Sequence, residues 1–216
     1  MRPNTHFAPY RSFTVKWATL PWEEQQALDL RRRVFCREQG LFTTDDRDQT
    51  DSRAQLLVAL GGYGGWHDKV IGTVRIHQQS AGIWYGSRLA VDAAFRTQGK
   101  LGPALIQLAV GSAKALGCDY FFAHVQARNE KLFQRLHWHT LATTTLHGRA
   151  HVTMAAQLQH YPPCHDPLSG FVIRAKTPRL SPYTMPDWLT AAAGAAANNQ
   201  AANSATSSTK PALQEQ

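Results

Sequence analysis

The sequence predicts an α/β fold, a mixed sheet with helices on both faces. Three observations support this prediction. Strand-like runs rich in β-branched and aromatic residues alternate with helical patterns in the order β, α, β, β, β, α, β, α, β, β. The central stretch, 82–117, has the pattern of a strand, a basic glycine-containing turn and a helix. A length of 216 residues and a 43% hydrophobic content are enough for one well-buried domain.

The N-terminal elements are a short strand and a longer helix. Residues 13–17 alternate as a strand, and Thr19 is expected to cap a helix that ends at Gly40. Residues 55–60 and 69–77 are predicted to pair as a hairpin. The loop before this hairpin contains the acidic residues Asp45, Asp46, Asp48 and Asp51. These carboxylates either attract a cationic amine or belong to a solvated loop.

The central unit predicts an anion site. Residues 83–91 form a strand, and Pro103 is expected at the first helical position because its φ is fixed and it lacks an N–H. The turn between them contains Arg96, Gly99, Lys100 and Gly102. Helix N–H groups and the positive end of the helix dipole converge there, which favours a phosphate or pyrophosphate. An ordinary connection is the alternative. The spacing matches neither the nucleotide loop G-x-x-x-x-G-K-[ST] nor the dinucleotide fingerprint.

Three further elements follow the helix, which is expected to end at Gly117 in a left-handed conformation. Residues 120–126 predict a buried strand, and 129–136 a short helix capped by Asn129. Residues 140–146 and 152–158 predict a last hairpin.

Composition divides the chain into four parts: a loose leader (1–11), a folded domain (12–163), a proline-rich extension (164–190) and a tail (191–216). The extension contains one strand-like stretch, 171–175. The tail is rich in Ala, Asn, Ser and Thr without aromatic residues, so we expect disorder, with an alanine-rich helix as the alternative.

The net charge of +8 favours an anionic partner. The basic residues are scattered rather than gathered in a dense block, so nucleic acid is not expected. The chain has neither an 18-residue apolar run nor the apolar core of a signal peptide, which predicts a cytoplasmic protein without a membrane partner.

Cysteines and histidines give no further site. Cys36, Cys118 and Cys164 lack paired spacing and predict reduced thiols without a nucleophilic role. His147 and His151 have the i, i+4 spacing of a helical metal site, but they flank a predicted turn between strands. We therefore expect no metal.

The central motif resembles that of the GCN5-related N-acetyltransferases (GNAT). It combines a strand that ends Leu89, Ala90, Val91 with R-x-x-G-x-x-G at Arg96, Gly99 and Gly102. The first helix, R-x-x-V-F-x-x-E-Q-G at 31–40, resembles the subgroup of acyl-homoserine-lactone synthases and their acetyltransferase relatives. Within it, WYGSRLAV, LGC, RLHW and YPP resemble acetyltransferases associated with nitrogen starvation and encoded near nitrilases.

This resemblance implies a mostly antiparallel sheet of six to seven strands and acetyl-CoA as co-substrate. The residues that it implies for cofactor binding are Leu89, Ala90, Val91, Arg96, Gln98, Gly99, Lys100, Leu101, Gly102 and Asn129. Asn129 fits a simple helix cap equally well. The sequence departs from the family at two points. One extra residue separates the two glycines, and Phe133 stands where many members have the tyrosine that protonates the departing thiolate.

Acetylation of an amine requires a base and donors that stabilise an oxyanion. Tyr85 resembles the position where some members place a carboxylate base, which predicts a proton-shuttling or substrate-orienting phenol; a core aromatic is the alternative. Glu38 is the second catalytic candidate, with a solvated or Arg-paired carboxylate as the alternative. The substrate-binding candidates are Arg75, Ser87, Arg88 and His124. The two arginines suit a carboxylate clamp in the acceptor or simple solvation at the surface.

Together these features predict an acetyl-CoA-dependent N-acetyltransferase that transfers acetyl directly to a small-molecule amine. Two alternatives remain: an acyltransferase that takes its acyl group from acyl carrier protein, and a noncatalytic CoA-binding sensor, which Phe133 motivates. A homodimer is also left open.

Overall fold

The computed structural model describes residue 10 and residues 12–63, 66–97 and 100–175. The predictions for Gln98, Gly99 and the tail lie outside these residues. Within the leader, Tyr10 is buried and stacks on Phe95 with ring centroids 5.5 Å apart. In the described part of the chain, no helix is both long and apolar enough to cross a membrane.

Within these described residues, eight strands form one sheet in the order β6-β7-β5-β4-β3-β2-β1-β8. They are β1 Ser12–Trp17, β2 Gln55–Tyr63, β3 Trp66–Ser80, β4 Ile83–Val91, β5 Tyr120–Gln126, β6 Trp138–Leu146, β7 Arg149–Ala156 and β8 Phe171–Arg174. Every neighbouring pair is antiparallel except β4 and β5. The predicted mixed, mostly antiparallel sheet is confirmed, with one strand more than expected, because β8 from the extension pairs with β1.

In the described part of the chain, three α-helices cover the sheet. α1 is Pro21–Arg31 and continues as a π-helical segment, Arg32–Glu38; α2 is Leu101–Ala115; α3 is Glu130–Arg135. Residues alternate along each strand between the two faces. On β2, Leu57 belongs to the apolar cluster that includes α2, whereas Val58 belongs to the cluster that includes α1. The sheet therefore separates two apolar layers.

The N-terminus of α1 differs from the prediction. The N-cap residue is Leu20 rather than Thr19, and the capping group is the buried carboxylate of Glu23. This carboxylate accepts hydrogen bonds from the amides of Thr19 (2.8 Å) and Leu20 (3.2 Å) and from Nζ of Lys16 (2.9 Å). A carboxylate three residues into the helix reaches two amides at once, which the Thr19 hydroxyl does not do.

The predicted start of α2 at Pro103 is also wrong, since the helix begins at Leu101. A proline is tolerated throughout the first turn, where amides have no partner within the helix. The left-handed conformation after α2 is confirmed by the φ of +83° at Gly117. At the start of α3, the side chain of Asn129 makes no capping hydrogen bond, contrary to the cap interpretation.

Two irregularities in β4 shape the centre of the molecule. β4 pairs with β5 only between Ile83–Gly86 and Tyr120–Ala123, so the two parallel strands separate beyond that point. On its other side β4 has a bulge, where Arg88 and Leu89 lie opposite a single β3 residue, Val74. Arg88 adopts the left-handed φ of +56° there. The sheet consequently has a gap at its centre, next to an irregular backbone.

Candidate active site

A cavity of about 530 Å³ occupies the gap between β4 and β5. Its lining residues come from both faces of the sheet, so the cavity passes through the gap. On the α2 face the lining is apolar and includes Ile106, Ala109, Val110, Val125 and Phe133. On the α1 face it is polar and aromatic and includes Gln39, His77, Tyr85, Ser87 and His124.

Phe133, the residue that stands where many family members have a tyrosine, lines the apolar half. This ring is buried and packs edge to face on Trp138, with ring centroids 5.2 Å apart. The hydroxyl of Tyr161 accepts a hydrogen bond from Nε1 of Trp138 at 2.9 Å and donates one to the carbonyl of Leu136. Tyr85 is therefore the one tyrosine among the described residues that line the cavity.

The polar half contains a row of rings across three strands. Tyr85 on β4 lies between His77 on β3 and His124 on β5, with ring centroids 5.8 Å and 6.0 Å away. Nδ1 of His124 lies 3.2 Å from Oγ1 of Thr153 on β7. The structure thus brings together Tyr85 and His124, which the sequence assigned to different roles.

Both histidines favour their neutral form. Burial, together with the charge of Arg75, lowers the pKa of His77 below its ordinary value of 6.5. Burial, together with the neighbouring His151, lowers the pKa of His124. A neutral imidazole has a lone pair available at neutral pH, so each of these side chains is chemically able to accept a proton.

The acidic loop is not a solvated loop, because its carboxylates bind three arginines. Arg31 is completely buried; its Nε donates to Asp46 at 2.8 Å and its Nη1 to Asp51 at 2.6 Å. Burial alone would raise the pKa of Asp51, but the hydrogen bonds and charges of Arg31 and Arg75 hold that pKa well below its usual range. The loop is thereby fixed over the α1 face of the sheet.

Arg75 and Arg88 complete this ion-pair network, which we define as Arg31, Arg75, Arg88, Asp46, Asp48 and Asp51. Arg75 lies 2.7 Å from carboxylate oxygens of both Asp48 and Asp51. Arg88 lies 2.9 Å from a carboxylate oxygen of Asp46 and 3.1 Å from one of Asp48. Three arginines balance three aspartates, so the two predicted clamp residues line the cavity with their charges already compensated.

The other substrate-binding candidate, Ser87, also takes part in this wall. Its hydroxyl accepts a hydrogen bond from Nε of Arg75 at 3.0 Å, and it lines the cavity.

Glu38, the second catalytic candidate, lies elsewhere. Its carboxylate pairs with Arg96, whose Nε also donates to the carbonyl of Val91 at 3.0 Å. Glu38 is not among the described residues that line the cavity, although the adjacent Gln39 is and accepts a hydrogen bond from Gln126 at 2.9 Å. In this structure Glu38 is therefore a carboxylate paired with an arginine, which was the alternative to a catalytic role.

Two of the cofactor candidates, Leu89 and Asn129, line the cavity. Ala90 is buried in the apolar cluster that includes α1. The first helical hydrogen bond of α2 runs from the amide of Ala104 to Lys100, so the amides of Leu101 and Gly102 precede the helical ladder. A Cβ at Gly102 would meet no atom within 4 Å, which leaves this backbone open to a ligand.

The remaining candidates for chemistry are weak. Burial raises the pKa of the Cys118 thiol to about 11, with Asp119 adding to the effect, so this thiol stays protonated. Burial and the charges of Asp46 and Asp45 also raise the pKa of Cys36. Among the described residues, no group of three or more His, Cys, Asp or Glu side chains is arranged to hold a metal ion.

Sequence reasoning missed three contributors to the polar half. Gln39 and Phe42 follow the first helix, and His151 was considered only as a metal ligand. The sequence alone shows that residues 151 and 153 would point to the same side of a strand. It does not show the pairing register of β5 and β7, which sets His151 opposite Gln126 and Thr153 opposite His124.

The sequence profile of the acetyltransferase (GNAT) family matches residues 15–138, more than half of the chain. The chain therefore belongs to the GNAT family, whose members are acyltransferases. No curated protein sequence is similar enough to this chain to count as a match.

Solved structures share the fold. A protein from Lactobacillus plantarum assigned as an N-acetyltransferase superposes with a TM-score of 0.61 at 20% identity over 68% of this chain and 98% of the other. ElaA from Escherichia coli gives 0.56 at 18% identity over 67% and 98%. FeeM, an N-acyl amino acid synthase from uncultured soil microbes, gives 0.55 at 12% identity over 68% and 91%. At these identities the likeness is one of fold.

Proposed function

We propose that this chain is an acetyl-CoA-dependent N-acetyltransferase that transfers the acetyl group directly to the amine of a small molecule in the cytoplasm. The observation that carries the proposal is the cavity between β4 and β5, which joins an apolar half to a half lined by imidazoles with lowered pKa values. Such a passage lets a thioester enter from one face of the sheet and an amine from the other.

The donor half suits acetyl-CoA. Ile106, Ala109 and Val110 give the pantetheine arm an apolar wall along α2. The opening of α2 at Leu101 and Gly102, with Arg96 and Lys100 nearby, suits the pyrophosphate. The β4 bulge leaves backbone groups at Arg88 and Leu89 without partners of their own on β3, and such groups suit the amides of pantetheine and the thioester carbonyl.

The acceptor half suits a small amine, and this amine does not need to carry a carboxylate group. Tyr85 and Ser87 line this half, and in this proposal they orient the acceptor. In this proposal, Arg75 and Arg88 hold the acidic loop as a wall rather than clamp a carboxylate, because each is already paired with aspartates. The resemblance to the nitrogen-starvation acetyltransferases fits this proposal but does not identify the amine.

A second candidate is acyl transfer from acyl carrier protein. It rests on the resemblance of residues 31–40 to the subgroup of acyl-homoserine-lactone synthases, and FeeM, which shares the fold, is named as an N-acyl amino acid synthase. A noncatalytic CoA-binding protein is the third, motivated by Phe133 in the apolar half. The donor requirement separates the three.

Calorimetric titration with acetyl-CoA, CoA and dephospho-CoA tests the proposal, followed by measurement of thiol release after addition of a panel of small amines. We expect saturable binding of acetyl-CoA and amine-dependent thiol release. Binding without thiol release for any amine would favour the noncatalytic role. In a parallel reaction, acyl carrier protein charged with an acyl group replaces acetyl-CoA as the donor. Thiol release only with this donor would favour the second candidate.

A further inference from the structure

We propose that His124 is the group that takes the proton from the acceptor amine, and that Thr153 is a positioning residue which presents the Nε2 lone pair of His124 to the cavity. This inference rests on the proposed acetyl transfer. It assigns the base to neither of the two predicted catalytic residues.

The position of His124 places it where the two substrates meet. Ala123 is the last β5 residue paired with β4, opposite Gly86. His124 is therefore the first residue of β5 after the point where the two strands separate. Its side chain is exposed and lines the cavity on the α1 face, beside Tyr85. An amine that approaches a thioester held in the gap from this face therefore passes this imidazole.

Thr153 contacts one of the two ring nitrogens and leaves the other toward the cavity. The two residues are directly paired on β5 and β7, and Oγ1 of Thr153 lies 3.2 Å from Nδ1 of His124. When Nδ1 carries the proton and donates to this hydroxyl, Nε2 carries the lone pair. A β-branched threonine on a strand has few rotamers, so its hydroxyl keeps the ring in one orientation.

The surroundings of His124 favour a neutral ring. The titratable group beside it on β7 is His151, whose charge disfavours a second cation, and on β4 it is Tyr85. His77 on β3 lies on the far side of Tyr85. The charged groups of the same cavity, Arg75 and Arg88, are each paired with aspartates. Desolvation of the ring in the cavity, and secondarily the neighbouring His151, lowers the pKa of His124.

His124 also accounts for the proton that the reaction moves. The amine nitrogen forms a bond to the thioester carbon, the carbon–sulfur bond breaks, and Nε2 takes one proton from the nitrogen. The resulting imidazolium gives this proton to the departing CoA thiolate, which leaves as the thiol. Phe133 has no proton to donate at the position where many family members have a tyrosine, so one residue that accepts and returns the proton completes the cycle.

Competing assignments are weaker. Glu38 is paired with Arg96 and does not line the cavity among the described residues. The phenol of Tyr85 carries its own proton and must lose it before it acts as a base.

The first test is independent of turnover. In protein labelled at the imidazole nitrogens, NMR titration reports the tautomer and the pKa of His124, assigned by comparison with His124→Gln. We expect protonation at Nδ1 in the neutral ring and a pKa below 6.5. The Thr153→Val variant should lose the tautomer preference, and Thr153→Ser should keep it. A neutral ring protonated at Nε2, or a pKa of 6.5 or higher, would overturn the inference.

The second test is the pH profile of acetyl transfer. His124→Gln should lower kcat at neutral pH by about 100- to 10,000-fold, and the loss should shrink as the pH approaches the pKa of the acceptor ammonium, because solvent then supplies the neutral amine. His165→Gln, an exposed histidine outside the cavity lining, is the matched control.

The outcomes separate this inference from the proposed function. If wild type turns over and His124→Gln changes only the KM for the amine, by the same factor at every pH, His124 binds the acceptor and the inference fails alone. If wild type transfers acetyl to no amine, both fail. Retained acetyl-CoA affinity and circular dichroism establish that the His124→Gln variant is folded.

Discussion

Glu38 is the residue that most clearly separates two accounts of the site. Its carboxylate pairs with Arg96 at the end of β4, where the pyrophosphate of CoA is expected, rather than with an acceptor in the cavity. In this account Glu38 competes with phosphate for Arg96. It takes no part in proton transfer.

Replacement of Glu38 by Gln is therefore expected to tighten acetyl-CoA binding by up to about fivefold, since an exposed ion pair is worth about 0.2–1 kcal/mol. Calorimetry measures this change, with Glu24→Gln on the exposed surface of α1 as the control. A fall in kcat of about 100-fold or more would instead restore Glu38 as the base.

At the residue scale, the sequence predicted which residues line the cavity better than it predicted which side chains pair with one another. Strand alternation predicted Tyr85, Ser87, Leu89 and Val91 on one side of the central strand, and the first three line the cavity. The bulge at Arg88 and Leu89 reverses the alternation, however, so Leu89 and Val91 pack on the α2 side instead. The roles of Arg75 and Arg88 were not predictable, because their aspartate partners come from a loop more than 20 residues away whose path depends on tertiary packing.

Among the elements, α1 and the acidic loop are held together by Arg31. Its guanidinium is completely buried between Asp46 and Asp51. Arg31→Met leaves these carboxylates short of one cation, so we expect a loss of about 3–5 kcal/mol in the free energy of unfolding, measured in urea. Arg32→Met, one residue later, is the matched control: its side chain is 38% exposed and pairs with Asp29 and Asp45 at the surface, so the change should cost less than about 1 kcal/mol. Equal effects of the two substitutions would contradict the account.

The acidic loop also predicts acid sensitivity. The pKa values of Asp48 and Asp51 are held below their ordinary value of 3.8, despite burial, by hydrogen bonds and charges of Arg75 and Arg31. A carboxylate whose pKa is lower in the folded state contributes stability above the unfolded pKa and loses it as the pH falls through the folded pKa. We expect wild type to lose stability below about pH 4, and Asp51→Asn to lose less over the same range. Urea unfolding at pH 7 and pH 3 measures the difference; parallel losses in the two proteins would contradict the assignment.

Element existence was predictable from sequence, whereas boundaries and pairings were not. The strand and helix order through 158 followed from periodicity, and the positive φ of Gly117 from its position after a helix. The start of α2 at Leu101 and the capping by Glu23 depend on local hydrogen bonds. More than one residue near each helix start is able to make such bonds, so the sequence does not single out the one that does. The pairing of β8 with β1 joins residues more than 150 apart, beyond the reach of any local pattern.

For the molecule as a whole, function depends on the passage through the sheet. Ala109 and Ala113 are buried on the same helix, but only Ala109 lines the cavity among the described residues. Substitution of either by Leu adds the same volume to a packed layer and is expected to cost about 1–3 kcal/mol in stability. Ala109→Leu should in addition weaken acetyl-CoA binding at least about tenfold, because the extra methyl groups enter the donor half, whereas Ala113→Leu should not. Equal affinity in the two variants would place the donor elsewhere.

The measurement that tests the central claim most directly follows a labelled acetyl group. The protein is incubated with acetyl-CoA carrying ¹³C in the acetyl group and with a panel of small amines, and products and intact protein are weighed by mass spectrometry. Direct transfer predicts labelled N-acetyl product in an amount equal to the thiol released, with no label on the protein. Label on the protein, or thiol release without acetylated amine, would contradict the account.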